Sequence, residues 1–384
     1  MHILLIPSWY STPNNPVRGS FFNDQALALH KIGHQVGMLV PPTKLRSWHG
    51  LAQTRAHWQQ SPAQMSVEQH HGISVYRLPW WGWQAAILPW QRGKLGLAAF
   101  DEYCSREGVP DVLHGHSVLY GGYLAAYIGS KRGIPAVLTE HSTNFINGYI
   151  LPPQGHFVRY TLRHTRRNLA VGAALAHALQ AFASEQQVDI VANTIDTDFF
   201  KPGAQPLSKQ PFIFSIIGSL IRRKGHKTLL EAFASAFHDA DVILNIAGEG
   251  PTRPELERQV QQLGLQSQVR FLGRLSREQV RDLIQTSHCI VSASTVETFG
   301  VTVIEALACG KPVVATISGG PEDIINADSG LLVPPDNPKA LAAALVELRR
   351  TYANFDAEKI RAYCIARFSE EAVASQLDTI YQSL

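Results

Sequence analysis

The chain has 384 residues, a length that favours two domains over one at roughly 150 residues per domain. Hydrophobic residues make up 45% of the chain and charged residues 17%, which allows a large core and argues against intrinsic disorder. The net charge of +3 is no nucleic-acid-binding signature, and four scattered cysteines without a CxxC pair exclude a disulfide scaffold or a cysteine-rich zinc module.

The apolar runs indicate where the protein resides. The N-terminus has only a short apolar run, from Ile3 to Ile6, which Pro7 ends; it predicts a buried first strand and no signal peptide. The longest nearly apolar stretch, Leu169 to Ala183, is interrupted by polar residues and is too short to cross a bilayer. With the cysteine pattern, this predicts a cytoplasmic protein.

In chain order, short apolar runs alternate with segments of helical periodicity. In the first half we expect strands at 2–6, 35–40, 73–78, 111–114 and 135–139, and helices near 20–33, 92–107 and 118–132. After a turn-rich stretch around Pro202 and Pro206 the pattern restarts. The second half predicts strands at 212–217, 241–247, 268–272, 289–292, 312–315 and 330–333, and helices near 225–238, 251–263, 276–286, 301–309 and 338–351.

Strand–helix alternation predicts mostly parallel sheets covered on both faces. We therefore expect an α/β protein with two doubly wound, Rossmann-like domains, whose strand C-termini face a shared cleft. The predicted domains are 1–195 and 212–384, joined by a linker at 196–211; whether the last helix packs back on the first domain is left open. The halves differ in charge, +6 for residues 1–195 and −3 for the remainder, which suggests different roles.

The most informative segment, residues 291–310, reads VSASTVETFGVTVIEALACG. It predicts a strand, a polar turn over 297–300 and a helix closed by a glycine. A helix that begins after Gly300 offers free backbone N–H groups and partial positive charge, a favourable site for phosphate. Glu305 lies on that helix, where its carboxylate can accept hydrogen bonds from sugar hydroxyls, and Glu297 lies in the turn. For either glutamate alone, an exposed surface position is the commoner outcome.

A second segment, residues 217–225, reads IGSLIRRKG and predicts a strand that leads through a basic turn into a helix. The three cations at this strand end, Arg222, Arg223 and Lys224, could neutralise a diphosphate, the arginines through bidentate hydrogen bonds. A solvated basic turn is the alternative. A third segment, IAGEGP at 246–251, places Gly248 and Gly250 after a strand, where backbone can approach a ligand closely.

In the first half, PVRGSFF at 16–22 places Gly19 between the first strand and the first helix, without completing a dinucleotide GxGxxG fingerprint. His141, in LTEHS at 138–142, directly follows a strand, and His114 and His116 end another. Each could be a packed histidine, the outcome we favour for His114. Neither an HExxH metal motif nor a GxSxG nucleophile elbow is present.

Taken together, these residues resemble the retaining glycosyltransferases of family four, whose fold is GT-B. The resemblance rests on Glu297 and Glu305 followed by ALACGKPVVA at 306–315, and on the Gly19 loop, GHQV at 33–36, the Lys224-Gly225 turn, Gly248-Glu-Gly250 and NTID at 193–196. It covers nearly the whole chain.

The resemblance implies roles for these residues. Lys224 and a neighbouring arginine, Arg222 or Arg223, would hold the donor diphosphate, with help from the amides of Gly300, Val301 and Thr302. Glu305 would bind the ribose hydroxyls. Glu297, beside Phe299, would contact the donor sugar, and His141 would face that sugar near the reacting centre. Gly19, Gly248 and Gly250 complete the implied donor site.

Two departures from the family pattern matter. Ser219 stands where many members carry an arginine, so the phosphate cation could come instead from Arg222 or Arg223. The passage 184–193 is shorter than the strand–helix–strand unit expected there, so either a helix has been lost or the strand register differs.

The resemblance implies a reaction that transfers a hexose-type sugar from a nucleotide diphosphate sugar to a hydroxyl of a glycan or lipid-linked glycan. The resemblance implies retained configuration and no required metal or other cofactor. Cations and helix-end amides would stabilise the departing diphosphate. A nucleotide-sugar epimerase on the same architecture, or a non-catalytic nucleotide-sugar-binding protein, remains the alternative.

Two surface features bear on the acceptor. The aromatic stretch PWWGW at 79–83, with ILPW at 87–90, could stack on sugars or form a packed loop. The segment FVRYTLRHTRR at 157–167 would place Arg159, Arg163, Arg166 and Arg167 on one helix face. That face could attract anionic lipid and bring the protein to the cytoplasmic side of a membrane, although a solvated or ion-paired face is slightly favoured.

Overall fold

The computed structural model describes residues 1–11, 19–41, 65–78, 89–204 and 211–384. The chain forms two compact units. The first unit comprises Met1–Val171, Leu175–Thr194 and Val373–Leu384, and the second comprises Gly172–Ala174 and Ile195–Ala372. The last residues of the chain therefore belong to the first unit.

The first unit contains an eight-stranded sheet with the order β3-β4-β2-β1-β5-β6-β7-β8. Neighbouring strands run parallel except at one edge, where β3 pairs antiparallel with β4. The strands are β1 (His2–Pro7), β2 (Gln35–Val40), β3 (Ser66–His70), β4 (Ile73–Arg77), β5 (Val112–His116), β6 (Ala136–Glu140), β7 (Arg167–Ala170) and β8 (Val188–Ile190).

Helices connect these parallel strands, as crossover connections require. They are α1 (Ser20–Lys31), α2 (Pro89–Glu107), α3 (Tyr123–Arg132), α4 (Pro152–His164) and α5 (Ala173–Gln180). The final helix, α12 (Glu370–Gln382), packs in the first unit through Val373, Leu377 and Tyr381, all buried.

The second unit contains a parallel six-stranded sheet with the order β11-β10-β9-β12-β13-β14. Its strands are β9 (Phe212–Ile217), β10 (Val242–Ala247), β11 (Val269–Gly273), β12 (Cys289–Ser292), β13 (Val313–Thr316) and β14 (Gly330–Val333). The order reverses at β9, which lies between β10 and β12. This switch point is where ligands bind in open α/β sheets, beyond the carboxyl ends of the strands.

The helices of the second unit follow its strands in alternation. They are α6 (His226–Phe237), α7 (Arg253–Gln262), α8 (Arg277–Thr286), α9 (Val301–Ala308), α10 (Pro338–Thr351) and α11 (Ala357–Phe368). The central strands are buried along most of their length, with Phe214, Leu244 and Val314 inaccessible to solvent. Because both faces are covered, these strands consist of continuous apolar runs, which explains why the sequence reveals them so clearly.

The predicted fold class of two parallel α/β domains is confirmed. Every strand predicted in the second half is present within one or two residues of its expected bounds. The expected strand–helix–strand passage is present after all, because β7, α5 and β8 form it over 167–190.

The prediction of a four-arginine helix face is wrong. Helix α4 ends at His164, so Arg166 lies beyond it and Arg167 begins β7. On the helix itself, Arg163 donates a hydrogen bond of 2.8 Å to Glu185. Arg167 lies 3.7 Å from Asp189. The basic charge of this segment is thus distributed over two elements and partly paired.

Three sequence features lie wholly or partly outside the described residues. Residues 79–88 of the tryptophan-rich stretch and residues 205–210 of the linker are not among the described residues. The Gly19 loop is described only from Gly19 onward. Among the helices that the structure describes, none combines the length and apolar character needed to cross a bilayer.

Candidate active site

The basic turn after β9 depends on Gly225. Residues Arg222–Lys224 form a single 3₁₀ turn, and Gly225 follows with φ +68° as the N-cap of α6. A Cβ atom at this position would lie 1.8 Å from the carbonyl oxygen of Ala293. Glycine is therefore needed both for its backbone conformation and for the close approach of this turn to the chain after β12.

Lys224 and Glu297, two predicted site residues 73 positions apart, form an ion pair. The Nζ of Lys224 lies 2.5 Å from the Oε2 of Glu297, and the two side chains are 25% and 14% exposed. The Oγ of Ser294 donates a weaker hydrogen bond of 3.3 Å to the same carboxylate oxygen. The pair leaves both groups accessible enough to exchange partners with a ligand.

The two candidate phosphate-binding arginines lie in different surroundings. Arg223 donates from Nη1 to the carbonyl of Val296 at 3.2 Å, and its own carbonyl accepts from the backbone N–H of Thr295 at 2.8 Å. Arg222 is exposed and lines a cavity that Lys224 does not line. Arg223 is therefore the arginine that lies beside the turn containing Glu297. Ser219, where many family members carry an arginine, is exposed on the connection between β9 and α6.

The glycine turn after β10 packs directly on the connection after β9. A Cβ at Gly248 would lie 1.8 Å from the carbonyl oxygen of Gly218, and one at Gly250 would lie 2.2 Å from that of Leu220. Backbone hydrogen bonds join the two turns, with Leu220 donating to Glu249 at 3.0 Å. The predicted glycines thus bring two backbone segments together at the carboxyl edge of the sheet.

Helix α9 begins after Gly300, which has φ +115° and no side chain to cap the first turn. Val301 and Thr302 are half-buried at its start, and Glu305 is half-buried one turn later. Phe299 is buried, with its ring 5.9 Å from that of Phe368. The free N–H groups of this first turn create a region of positive potential, as an anion-binding site requires.

Sequence reasoning missed the loop after β13, which supports the 297–300 turn. The N–H of Glu297 donates to the carbonyl of Ser318 at 2.8 Å, and Gly320 packs closely against the backbone of Phe299. The carboxylate of Glu322 in turn accepts from the N–H groups of Ser318 and Gly319 at 3.1 and 2.8 Å. The sequence feature that could have identified this loop is the Gly319-Gly320 pair, which follows β13 closely.

In the first unit, His116 and His141 lie together at the carboxyl ends of β5 and β6. The Nδ1 of His116 lies 3.1 Å from the Nε2 of His141, so one of these nitrogens donates and the other accepts. Burial lowers the pKa of His141 to about 3 and also lowers that of His116. Both imidazoles are therefore neutral at pH 7.

His114 is a packed histidine, as expected. Its Nδ1 lies 2.6 Å from the hydroxyl of Tyr381, and its Nε2 lies 2.8 Å from the Oγ1 of Thr139. Burial lowers its pKa to about 3. It links β5 to the final helix of the chain.

Glu140 is a second residue that the sequence did not single out. It is fully buried, and its carboxylate accepts backbone hydrogen bonds from Val118, His141 and Ser142 at 2.7, 2.8 and 2.7 Å. Burial raises its pKa, whereas these donors oppose the rise. Glu140 therefore fixes the backbone on which His141 is carried.

Gly19, the N-cap of α1, is linked to the histidine pair through Phe21 and Phe22. The two phenylalanine rings lie 5.0 and 5.1 Å from the ring of His141. The predicted site residues of the first unit, Gly19 and His141, are therefore brought together around one aromatic cluster.

Two family models match almost the entire chain. The model described as Glycosyltransferase Family 4 matches residues 20–199, and the model described as glycosyl transferases group 1 matches residues 198–362. The chain belongs to the group 1 glycosyltransferases.

Curated relatives and a solved structure agree with this assignment. The glycosyltransferase is 27% identical over 314 residues to N-acetyl-alpha-D-glucosaminyl L-malate synthase of Bacillus anthracis, covering 78% of this chain and 81% of the relative. It is 24% identical over 319 residues to a phosphatidylinositol N-acetylglucosaminyltransferase protein of Arabidopsis thaliana, covering 81% and 70%. Anabaena HepE in complex with UDP and glucose superposes over the full length of both chains, with a TM-score of 0.75 at 18% identity. The fold of the glycosyltransferase is GT-B, with two Rossmann-like domains.

The residues that the structure describes contain no group of three or more His, Cys, Asp or Glu side chains placed to hold a metal ion. The four cysteines are free thiols, three of them buried. The charged side chains that lie together at the carboxyl edge of the second sheet are Lys224, Arg223 and Glu297. The start of α9 follows Glu297 closely in the chain.

Proposed function

We propose that this glycosyltransferase moves a hexose-type sugar from a nucleotide diphosphate sugar to a hydroxyl of a glycan or lipid-linked glycan, with retention of configuration and without a metal. The observation that carries the proposal is the Lys224–Glu297 pair. It joins a cation suited to a diphosphate with a carboxylate suited to sugar hydroxyls, both held by turns at the carboxyl edge of one sheet.

The chemistry requires charge stabilisation on the leaving group. As the bond between the anomeric carbon and the β-phosphate oxygen breaks, negative charge develops on the diphosphate. Lys224, Arg223 and the first amides of α9 would stabilise that charge through preorganised electrostatics. The acceptor oxygen forms the new bond to the anomeric carbon, and its proton passes to the departing phosphate on the same face of the sugar.

Glu305 would bind the donor through its ribose. On α9 it lies one turn beyond the helix start that would meet the phosphates. A carboxylate in that position accepts hydrogen bonds from the two ribose hydroxyls, and such bonds to a charged group contribute about 1.5–3 kcal/mol.

The relatives suggest which donors to test first. Two of them carry N-acetylglucosaminyl transfer in their names, and HepE was solved with UDP and glucose. UDP-N-acetylglucosamine and UDP-glucose are therefore the first donors, with the GDP-sugars as comparison. The named acceptors of the two relatives differ, malate in one and phosphatidylinositol in the other. A glycan or lipid-linked glycan is the acceptor class that we propose.

His141 stays a prediction as the residue that faces the transferred sugar. Because its lowered pKa keeps it neutral, it would act as a hydrogen-bonding group and not as a cation. Membrane attachment is not part of the proposal, since the arginine face that suggested it does not exist as one helix face.

The test follows donor turnover in the presence of extracted lipid-linked glycans. Transfer predicts stoichiometric release of nucleoside diphosphate together with labelled sugar in the lipid fraction, and EDTA should leave the rate unchanged. An epimerase predicts an altered sugar still bound to its nucleotide, with no release. A binding protein predicts neither change. Loss of activity in EDTA that Mg²⁺ restores would contradict the metal-independent mechanism.

A further inference from the structure

A cavity of about 340 Å³ in the second unit lies where helices α6 and α7 begin. Its lining includes Arg222 from the turn before α6, His226 and Lys227 from the start of α6, Glu255 from α7, and Asp336 from the loop after β14. Lys224, which pairs with Glu297, is not among the lining residues. The volume falls in the range of small-molecule sites.

His226 supplies buried polar atoms with no partner. It is 2% exposed, and neither of its ring nitrogens has a hydrogen-bond partner among the residues that the structure describes. Burial, with a smaller contribution from Lys224, lowers its pKa to about 4. The imidazole is therefore neutral at pH 7 and offers one donor and one acceptor. Because an unsatisfied buried polar group is costly, a ligand that bonds to this ring gains binding free energy.

Two helix starts without side-chain caps contribute to the same cavity. Helix α6 begins at His226 after Gly225, and helix α7 begins at Arg253 after Thr252, whose side chain makes no capping bond. In α6 the first intrahelical bond runs from the N–H of Leu229 to the carbonyl of Gly225, so the N–H groups before Leu229 lack intrahelical partners and carry partial positive charge. In α7 the N–H of Arg253 already donates to the carbonyl of Gly250 and Pro254 has no N–H, so this start adds little. The exposed side chains of Arg222 and Lys227 add two full positive charges.

The cavity also contains two carboxylates, Glu255 and Asp336, both exposed. They would repel a simple anion but can accept hydrogen bonds from hydroxyl groups. A ligand that combines an anionic group with hydroxyls satisfies the cations, the start of α6 and the carboxylates together. Phosphate is the anion that best matches a helix start flanked by arginine and lysine.

We propose that this cavity binds a small phosphorylated polyol, such as a sugar phosphate, at a site separate from the donor site. The phosphate lies at the start of α6 between Arg222 and Lys227. The hydroxyls donate to Glu255 and Asp336, and the ring of His226 forms a further hydrogen bond. The proposal does not depend on sugar transfer, because binding is measured in the absence of any nucleotide sugar.

The experiment is calorimetric titration of the full chain with glycerol 3-phosphate, the simplest probe that carries both groups, and separately with inorganic phosphate and with glycerol. We expect glycerol 3-phosphate to bind at least tenfold more tightly than either fragment. Lys227→Ala should weaken its binding about tenfold or more, as expected for the loss of a charge-assisted hydrogen bond. Thr228→Val, which removes a hydroxyl from the lining at nearly constant volume, should weaken it less.

Two control variants separate this site from the donor site. Lys359→Ala removes an exposed lysine on α11 and should leave binding unchanged. Lys224→Ala should also leave it largely unchanged, since that side chain does not line the cavity. Absence of binding, equal binding by inorganic phosphate, or loss in Lys224→Ala with retention in Lys227→Ala would each overturn the proposal.

Discussion

The Nζ of Lys224 lies 2.5 Å from the Oε2 of Glu297, so the cation proposed to bind the donor diphosphate is paired with the carboxylate proposed to contact the donor sugar. A bound diphosphate would compete with Glu297 for the ammonium group. Once released from the lysine, the carboxylate could accept hydrogen bonds from the sugar. The pair thereby links occupation of the phosphate position to the availability of Glu297.

Lys224→Ala should reduce the rate of transfer strongly while changing stability little. The side chains of Lys224 and Glu297 are partly exposed, and pairs of that kind contribute about 1 kcal/mol or less to folding. Steady-state kinetics and thermal unfolding of the same preparations check this. Lys359→Ala serves as the matched control. A variant that loses stability while its folded fraction turns over normally would assign Lys224 a structural role.

Glu305→Ala should weaken donor binding by about 1.5–3 kcal/mol, or roughly ten- to a hundredfold, because the ribose hydroxyls lose a charged acceptor. Titration calorimetry with the nucleoside diphosphate measures the effect. Glu371→Ala, which removes an exposed glutamate of α12, is the control and should bind as wild type. Unchanged affinity in Glu305→Ala would remove this residue from the site.

Gly225→Ala should lower both stability and donor affinity. Its φ of +68° disfavours alanine by about 1–2 kcal/mol, and the new Cβ would also collide with the carbonyl of Ala293. Gly264→Ala is the matched control, because φ is +69° there but the Cβ would meet only the ring of His238, at 3.3 Å. Thermal unfolding and donor titration should show a larger loss for Gly225→Ala than for the control. Equal losses would show that the close approach to Ala293 is unimportant.

Acid should destabilise the first unit. His114 and His141 have pKa values near 3 in the folded chain, and that of His116 is also lowered, against a reference value of 6.5. The unfolded chain therefore binds more protons between pH 6.5 and about 3. Above that window these histidines do not reduce the free energy of unfolding. As the pH drops through the window, the free energy of unfolding falls by about 1.4 kcal/mol per pH unit for each such histidine.

Chemical denaturation at intervals across this window measures the slope. Tryptophan fluorescence reports on the first unit, because all seven tryptophans lie within the first 90 residues. His114→Gln should make the pH dependence shallower by about one proton. His177→Gln, at an exposed position, should not. A slope that both variants share with wild type would contradict the assignment of acid sensitivity to the buried histidines.

Local sequence patterns predicted much of the second unit because its buried strands are continuous apolar runs ended by glycine or polar residues. The predicted bounds of β9 and β12 are those observed. In the first unit the pattern fails at β3, whose SVEQH sequence lies at an exposed sheet edge and carries little apolar signal. The pattern also does not separate β7 from helix α5, because residues 169–183 form one nearly apolar stretch in the sequence.

The candidate site shows the same division between local and long-range information. The glycine turns, the cations and the two glutamates were predictable, because strand ends and helix starts are encoded nearby in the chain. The contact of Lys224 with Glu297 was not, because it joins residues 73 positions apart. The support that Glu140 gives to the His141 loop and that Gly320 gives to Phe299 likewise arises only from packing in the folded chain.

The configuration of the newly formed glycosidic bond is the most direct test of transfer on the face of the departing diphosphate. Proton NMR of the purified product, formed from an α-linked nucleotide sugar, reports the anomeric configuration through the H1–H2 coupling. We expect an α-linked product from the wild-type enzyme and almost none from Lys224→Ala. A β-linked product would contradict transfer on the face of the departing diphosphate.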